Sequence, residues 1–393
     1  MVSESQKSGL LDRSRTIDGL RGIAAMAVVV QHCLEFTPIN NLDATFSTPI
    51  AYIFSNALNL GRFGVITFFL ISGFLIPSSI GNQPRPLIGF AIGRFFRLYP
   101  LYWLSIAVAL VTLAALGKAI PGHAQVAANM TMFQTLFGYE NILDPYWTLL
   151  IEQFFYFFCA AIFLAGALNN PRRMRWIMIA SGLLLIVVAG ALMLAPQMRY
   201  AKHLSYLMYT GSFLFVMIVG HNIRLMQARE AFHVPKDIFV LFVVVFIFIV
   251  GAREGIGGYN TLLSPVAVLV SSVAALLLFL FALHSRTFIS SVFVFFGKIS
   301  YGLYLFHGIA LWIAIELTGK PVDLWHSLAL LAMVCGIAAA AATLAFVFLE
   351  EPSIALGKAM RRGLGRRPVR IAPASLIVRP MSPSLPDAVR PLN

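Results

Sequence analysis

Apolar runs separated by short polar or basic stretches make up most of the chain. Ten can be counted, at 20–36, 63–80, 98–116, 148–168, 177–194, 204–220, 238–250, 264–283, 299–317 and 324–349. A helix needs about 20 apolar residues to cross the hydrocarbon of a bilayer. Only helices and closed barrels satisfy every backbone polar group there. The pattern therefore predicts an all-α polytopic membrane protein with ten transmembrane helices in one bundle. The first, sixth and seventh runs are short, so tilt or local burial is expected there. A polar segment, 1–16, precedes the bundle at 17–352, and a basic, Pro-rich tail follows at 353–393. Pro352 is expected to stop the last helix, since proline removes a backbone donor and clashes with the preceding turn. The tail, with Lys358, Arg361, Arg362, Arg366, Arg367 and Arg370, reads as disordered and held at an anionic membrane surface. No cleavable signal peptide is expected, because no small-residue cleavage site accompanies the first run.

Polar residues inside these runs are the informative ones, because ionisable groups in a membrane span are costly and face a protein interior or a wet cavity. In residues 17–34, Asp18, Arg21, Ala25, Val28 and His32 recur at steps of three or four, which puts them on one helix stripe. Eleven residues separate Arg21 from His32, about 16 Å of helix rise. One face thus carries an ion pair near a membrane surface and an imidazole well inside. The competing reading is a structural histidine bonded to a neighbouring helix, with Arg21 snorkelling to headgroups.

The formal charge of +13 changes the picture less than its size suggests. Hydrophobic residues are 59% of the chain and charged ones 11%, which excludes an ordinary soluble domain. With the N-terminus inside, the segments on the inner side of the spans hold 15 Lys and Arg, those on the outer side 6, and the tail 8. That bias predicts both termini in the cytoplasm and explains the charge as a topology signal rather than a nucleic-acid footprint. The three cysteines, Cys33, Cys159 and Cys335, lie in apolar runs without ligand spacing, so they read as small core residues and no metal site is expected. The longest outer loops are 37–62 and 117–147. The second, with Asn129, Gln134, Tyr139, Glu140 and Asp144, has a composition suited to a sugar or a lid, or to an ordinary connection.

Four further stretches carry candidate chemistry. Ser72-Gly73 offers a small-residue notch where another helix can come close. Arg94 and Arg97 stand at i and i+3 on one face, where two guanidiniums can clamp phosphate or simply mark the inner side. In 147–156, Thr148, Glu152 and Tyr156 share a face, with Cys159 next on it. Entering from outside, Glu152 is expected about 7 Å below Trp147. In 299–307, Ser300, Tyr304 and His307 share a face.

Together these stretches resemble the acyltransferase 3 family. The matching pieces are RTIDGLRGIAAMAVVVQH, FFLISGFLI, RFFRLYPLYW, WTLLIEQFFYFF, ISYGLYLFH and EEP, in the family's order from Arg15 to Pro352. The resemblance implies a ten-helix enzyme that takes an acyl group from cytoplasmic acyl-CoA to a hydroxyl of an envelope or exported glycan. It implies His32 as catalytic base and Arg94 and Arg97 as the pair that handles the CoA phosphates. Arg21, Glu152 and His307 match further characteristic positions. Glu152 is expected to orient His32 or bind the acceptor, Arg21 to help hold the donor, and Asp18, Ser72, Tyr304 and His307 to support the site. Two positions depart from the family pattern, Ile66 for an acidic residue and Gln153 for a second glutamate. They bear on the substrate branch more than on the chemistry. The resemblance is to the stand-alone type, without the extracytoplasmic hydrolase-like domain of some members. Acetyl is the expected group, with succinyl or longer chains open, and no bound cofactor is implied beyond the acyl-CoA co-substrate. Direct transfer and an acyl-enzyme both remain open. The alternative from another class is an exporter of a glycan intermediate using His32, Glu152 and His307 as a proton relay. Inverted internal symmetry would favour it, and the sequence shows none.

Overall fold

The computed structural model describes residues 4–36, 57–81, 85–227, 236–256, 264–285 and 290–364. Every predicted apolar run is a helix, most helices extend past the run, and polar flanks cap some of them. Asn59 accepts from the Arg62 amide at 2.7 Å, and Asp323 from the His326 amide at 2.7 Å, each satisfying an otherwise orphaned N–H of a first turn. The helices are α1 (Glu4–Leu34), α2 (Leu60–Leu75), α3 (Pro86–Ala115), α4 (His123–Met130), α5 (Trp147–Leu164), α6 (Pro171–Leu194), α7 (Ala201–Gln227), α8 (Lys236–Ile256), α9 (Pro265–His284), α10 (Ser291–Lys298), α11 (Ser300–Thr318), α12 (Leu324–Ala345) and α13 (Glu351–Gly363). Nine stretches of the described residues are long and apolar enough to cross a membrane. The remaining predicted run, 238–250, lies within the 21 residues of α8. The chain is an all-helical, polytopic membrane protein. The shortness expected of the sixth run is absent, since α7 has 27 residues. The predicted tail from 365 onward, most of the loop 37–62, Arg229 and Arg286 lie outside the described residues.

α1 is the axis. It packs on α2, α10 and α11, while α2 packs in turn on α7 and α9, and α6 and α8 lie outside α7. The Ser72-Gly73 notch is where α7 comes in. A Cβ on Gly73 would stand 1.9 Å from the Met217 carbonyl oxygen, and one on Gly220 would stand 2.3 Å from that of Leu70. No other side chain fits this crossing without moving backbone. Cys33 and Cys159 are buried as expected of small core residues.

Two elements differ from the sequence expectation. Pro352 does not end the last helix. A π-helical turn, Phe346–Glu350, precedes it, and α13 continues to Gly363. The wider π turn accommodates the proline ring that a regular α-helix would exclude.

The second difference is the segment after α3, expected as an outer loop. It folds back along α3. Trp103 Nε1 donates to the Met130 carbonyl at 2.9 Å, the Tyr102 hydroxyl to Asn129 at 2.7 Å and the Tyr99 hydroxyl to Thr131 at 3.0 Å. Tyr99 lies sixteen residues before the end of α3, about 24 Å of helix rise. Irregular backbone at that depth must be satisfied by protein groups. Asn129 does this. Its Nδ2 donates to the carbonyls of Gln125 and Glu140, each at 2.9 Å, and its Oδ1 accepts from the Ile142 amide at 3.1 Å. Asn129 and Gln134 are therefore buried structural residues, whereas Tyr139, Glu140 and Asp144 are exposed. Tyr146 closes the segment, fully buried and 2.8 Å from Ser105 Oγ.

Candidate active site

The re-entrant segment starts α5 inside the bundle, and this decides where Glu152 goes. Glu152 was expected just below an outer surface, to orient His32 or to bind the acceptor. Instead it lines a cavity of about 400 Å³ at the other end, with Arg94 and Arg97. Its carboxylate accepts from the Tyr156 hydroxyl at 2.5 Å. Among the described residues no hydrogen bond joins Glu152 to His32.

Residues of α1, α2, α3, α5, α11 and α13 line the cavity. Along α2 it runs from Leu75 to Val65, about 15 Å of rise. Its mouth is cationic: Arg21, Arg94, Arg97, Lys358 and Arg361 all line it, against Glu152 as the one acid of the lining. These charges are individually positioned. Arg97 Nη1 lies 2.9 Å from Glu350 Oε1, and Glu350 is 1% exposed. The Arg94 guanidinium sits 5.6 Å from the Phe90 ring centroid and 5.8 Å from that of Tyr156, a cation–π contact with two rings that meet edge to face at 5.6 Å. Its Nε has no hydrogen-bond partner among the described residues. Arg21 and Asp18 approach to 4.0 Å, so the predicted ion pair exists, as a loose one.

The far end of the cavity is neutral. Thr148 and Tyr304 bring hydroxyls to it, and Ser72 and Ser300 add hydroxyls elsewhere in the lining. Thr148 Oγ1 and the Tyr304 hydroxyl are 2.8 Å apart, and Tyr304 donates to the Pro145 carbonyl at 3.0 Å. Behind Tyr304 stands His307, with ring centroids 5.8 Å apart, and next to it His32, at 4.9 Å. Neither histidine lines the cavity. Tyr304, in its wall, connects them to it. His32 Nδ1 is 2.8 Å from the Val28 carbonyl, and His307 Nδ1 is 2.7 Å from the Tyr304 carbonyl. A carbonyl can only accept, so each Nδ1 carries a proton. A neutral ring then keeps its basic lone pair on Nε2. His307 Nε2 is buried with no partner among the described residues.

The structure thus gathers Arg21, Ser72, Arg94, Arg97, Glu152 and Tyr304 around one cavity and pairs His32 with His307 behind it. Asp18 stands one step away, through Arg21. Sequence reasoning missed Lys358 and Arg361, read as tail, and gave Glu350 no role beyond the helix end. A signal was present: Glu350, Ile354, Lys358 and Arg361 are spaced by four, four and three, a single helix stripe. Both departures from the family pattern face elsewhere. Ile66 is fully buried in the core, and Gln153 donates to Met132 Sδ of the re-entrant segment at 3.2 Å.

One protein-family model, described as an acyltransferase domain, matches residues 15–349. Among curated proteins the chain is similar to YrhL of Bacillus subtilis, named as a candidate peptidoglycan O-acetyltransferase. The two are 25% identical over 374 residues, 86% of this chain and 54% of that one. It is 29% identical over 191 residues to the peptidoglycan O-acetyltransferase OatA of Listeria monocytogenes, covering 43% of this chain and 27% of that one. It is 26% identical over 308 residues to ORF330 of Acidianus two-tailed virus, named as a candidate acetyltransferase, covering 73% and 80%. The chain spans about half the length of YrhL and about a quarter of OatA in these matches. No solved structure matches.

Proposed function

The chain belongs to the acyltransferase 3 family, and from that premise we propose that it moves an acetyl group from acetyl-CoA to a hydroxyl of a cell-envelope or exported glycan. The observation that carries this reading is the graded cavity: five cations at its mouth, the Thr148 and Tyr304 hydroxyls at its far end, and the His32–His307 pair behind Tyr304. Acyl-CoA has the same gradient. Its nucleotide is a polyanion, and its pantetheine arm is long, thin and nearly uncharged. Phosphates at Arg94 and Arg97 gain charge-assisted hydrogen bonds. The arm runs up the roughly 15 Å channel and brings the thioester toward Tyr304.

In this reading His32 Nε2 takes the proton of the acceptor hydroxyl as its oxygen attacks the thioester carbonyl. The C–S bond then breaks, CoA leaves as the thiolate, and the imidazolium returns the proton to sulfur. His307 packs the base and holds the Tyr304 carbonyl. Glu152, hydrogen-bonded by Tyr156, balances charge among the arginines rather than orienting His32. The basic end faces the cytoplasm, with both termini there, because acyl-CoA is supplied on that side and the loop charges favour it. The relatives named for peptidoglycan O-acetylation support an envelope glycan as acceptor. The exporter alternative lacks such support.

The test uses purified full-length protein in proteoliposomes, with acetyl-CoA and soluble peptidoglycan fragments or exported polysaccharide. Thiol release that requires the glycan, with acetyl ester appearing on it, is the expected result. Glycan transport without thioester consumption would overturn the proposal.

A further inference from the structure

We propose that Lys358 and Arg361, on the helix that continues past Pro352, bind phosphate groups of the donor, so that α13 forms a wall of the donor site beside α3. This rests on the acyl-CoA reading above. Both side chains line the cavity mouth. Arg361 is held there from two sides. Its Nη2 donates to the Ser79 carbonyl at 3.4 Å, and its Nη1 lies over Gly93, where a Cβ would come within 3.1 Å. Its Nε is buried and has no hydrogen-bond partner among the described residues. α13 itself is anchored to α3. Gly357 packs so closely on Phe96 that a Cβ would lie 2.8 Å from the Phe96 Cβ, and the Glu350–Arg97 pair fixes the turn before it.

Charge accounting shows what this wall is for. Glu350 engages Arg97 at 2.9 Å, which leaves Arg94 as the one guanidinium of the Arg94–Arg97 pair outside an ion pair. Among the described residues, Lys358 and Arg361 take part in no ion pair either, unlike Lys118 with Glu316 or Arg175 with Asp237. A ligand bearing several phosphates needs more than one available cation, and α13 supplies two. Arginine provides a planar fork for phosphate oxygens, and lysine a mobile point charge. Arg362, the next residue on α13, is exposed and does not line this cavity, so basic charge on this helix is not uniformly aimed at the cavity.

Two donors separate phosphate binding from structure: acetyl-CoA and S-acetylpantetheine, which carries the same thioester and no phosphate. In full-length protein in detergent, Lys358→Ala with Arg361→Ala should raise KM for acetyl-CoA about tenfold or more, as lost charge-assisted bonds predict. kcat should hold, and kinetics with S-acetylpantetheine should stay within about twofold, the spread of an untouched site. Arg362→Ala should leave both donors unchanged. A double variant with normal acetyl-CoA kinetics overturns the inference. So does one that loses both donors equally, which would make α13 a structural prop. A wild-type chain that uses the two donors equally well would refute the acyl-CoA reading itself.

Discussion

His32→Gln is the substitution on which the mechanism turns. Glutamine keeps a polar head but cannot take up a proton. A general base contributes about 10²–10⁴ in rate, or about 2.7–5.5 kcal/mol at 1.36 kcal/mol per decade. The structural cost of the same change is much smaller. His32 hydrogen-bonds the Val28 carbonyl of its own helix, at 2.8 Å, and the ring is half-buried. Losing one such bond costs about 0.5–1.5 kcal/mol. Neither partner of this substitution lines the donor cavity, so acetyl-CoA affinity should be nearly unchanged. The expected result is turnover reduced at least about a hundredfold, with acetyl-CoA binding and the thermal midpoint close to wild type, all measured per folded protein. If His32→Gln retains near wild-type turnover, the base is elsewhere. His307, with its unpartnered Nε2, then becomes the next residue to change.

Three other outcomes follow from named contacts. Arg94→Ala should weaken acetyl-CoA binding more than Arg97→Ala, by titration calorimetry, because Glu350 already occupies Arg97 while Arg94 Nε is unpartnered; each charge-assisted bond lost is worth about 1.5–3 kcal/mol, and equal effects would contradict the division. Asn129→Ala should lower the thermal midpoint without acting on donor affinity, since it removes three side-chain hydrogen bonds that tie the segment together and strands the buried Ile142 amide, at a cost of about 1–3 kcal/mol for the amide; an unchanged midpoint would return the segment to the status of a surface loop. Reporters fused at Lys320, between α11 and α12, and at Arg172, at the start of α6, should read outside and inside; the reverse pattern would put the cationic mouth on the side without acyl-CoA.

Helical architecture and membrane class were legible from the chain alone because both are local. A run of apolar residues of sufficient length has no other stable conformation in lipid. The stripe Asp18–Arg21–His32 and the Arg94–Arg97 pair were legible for a similar reason: helical periodicity sets which residues share a face, and it needs no partner. Three things depended on the tertiary structure. The segment 117–147 reads as a polar loop, and only the hydroxyls of Tyr99 and Tyr102 and the indole of Trp103 show that it is drawn into the bundle. That fold-back moves the start of α5 inward and carries Glu152 from the expected side of His32 to the arginines. Pro352 marks a helix end by local rules, yet the π turn before it lets the helix continue and aims Lys358 and Arg361 at the cavity. His32 and His307 lie 275 positions apart in the chain, and no periodicity relates them. They meet because α1 packs on α11, and which faces two helices bury against each other is settled by side-chain fit rather than by either sequence alone.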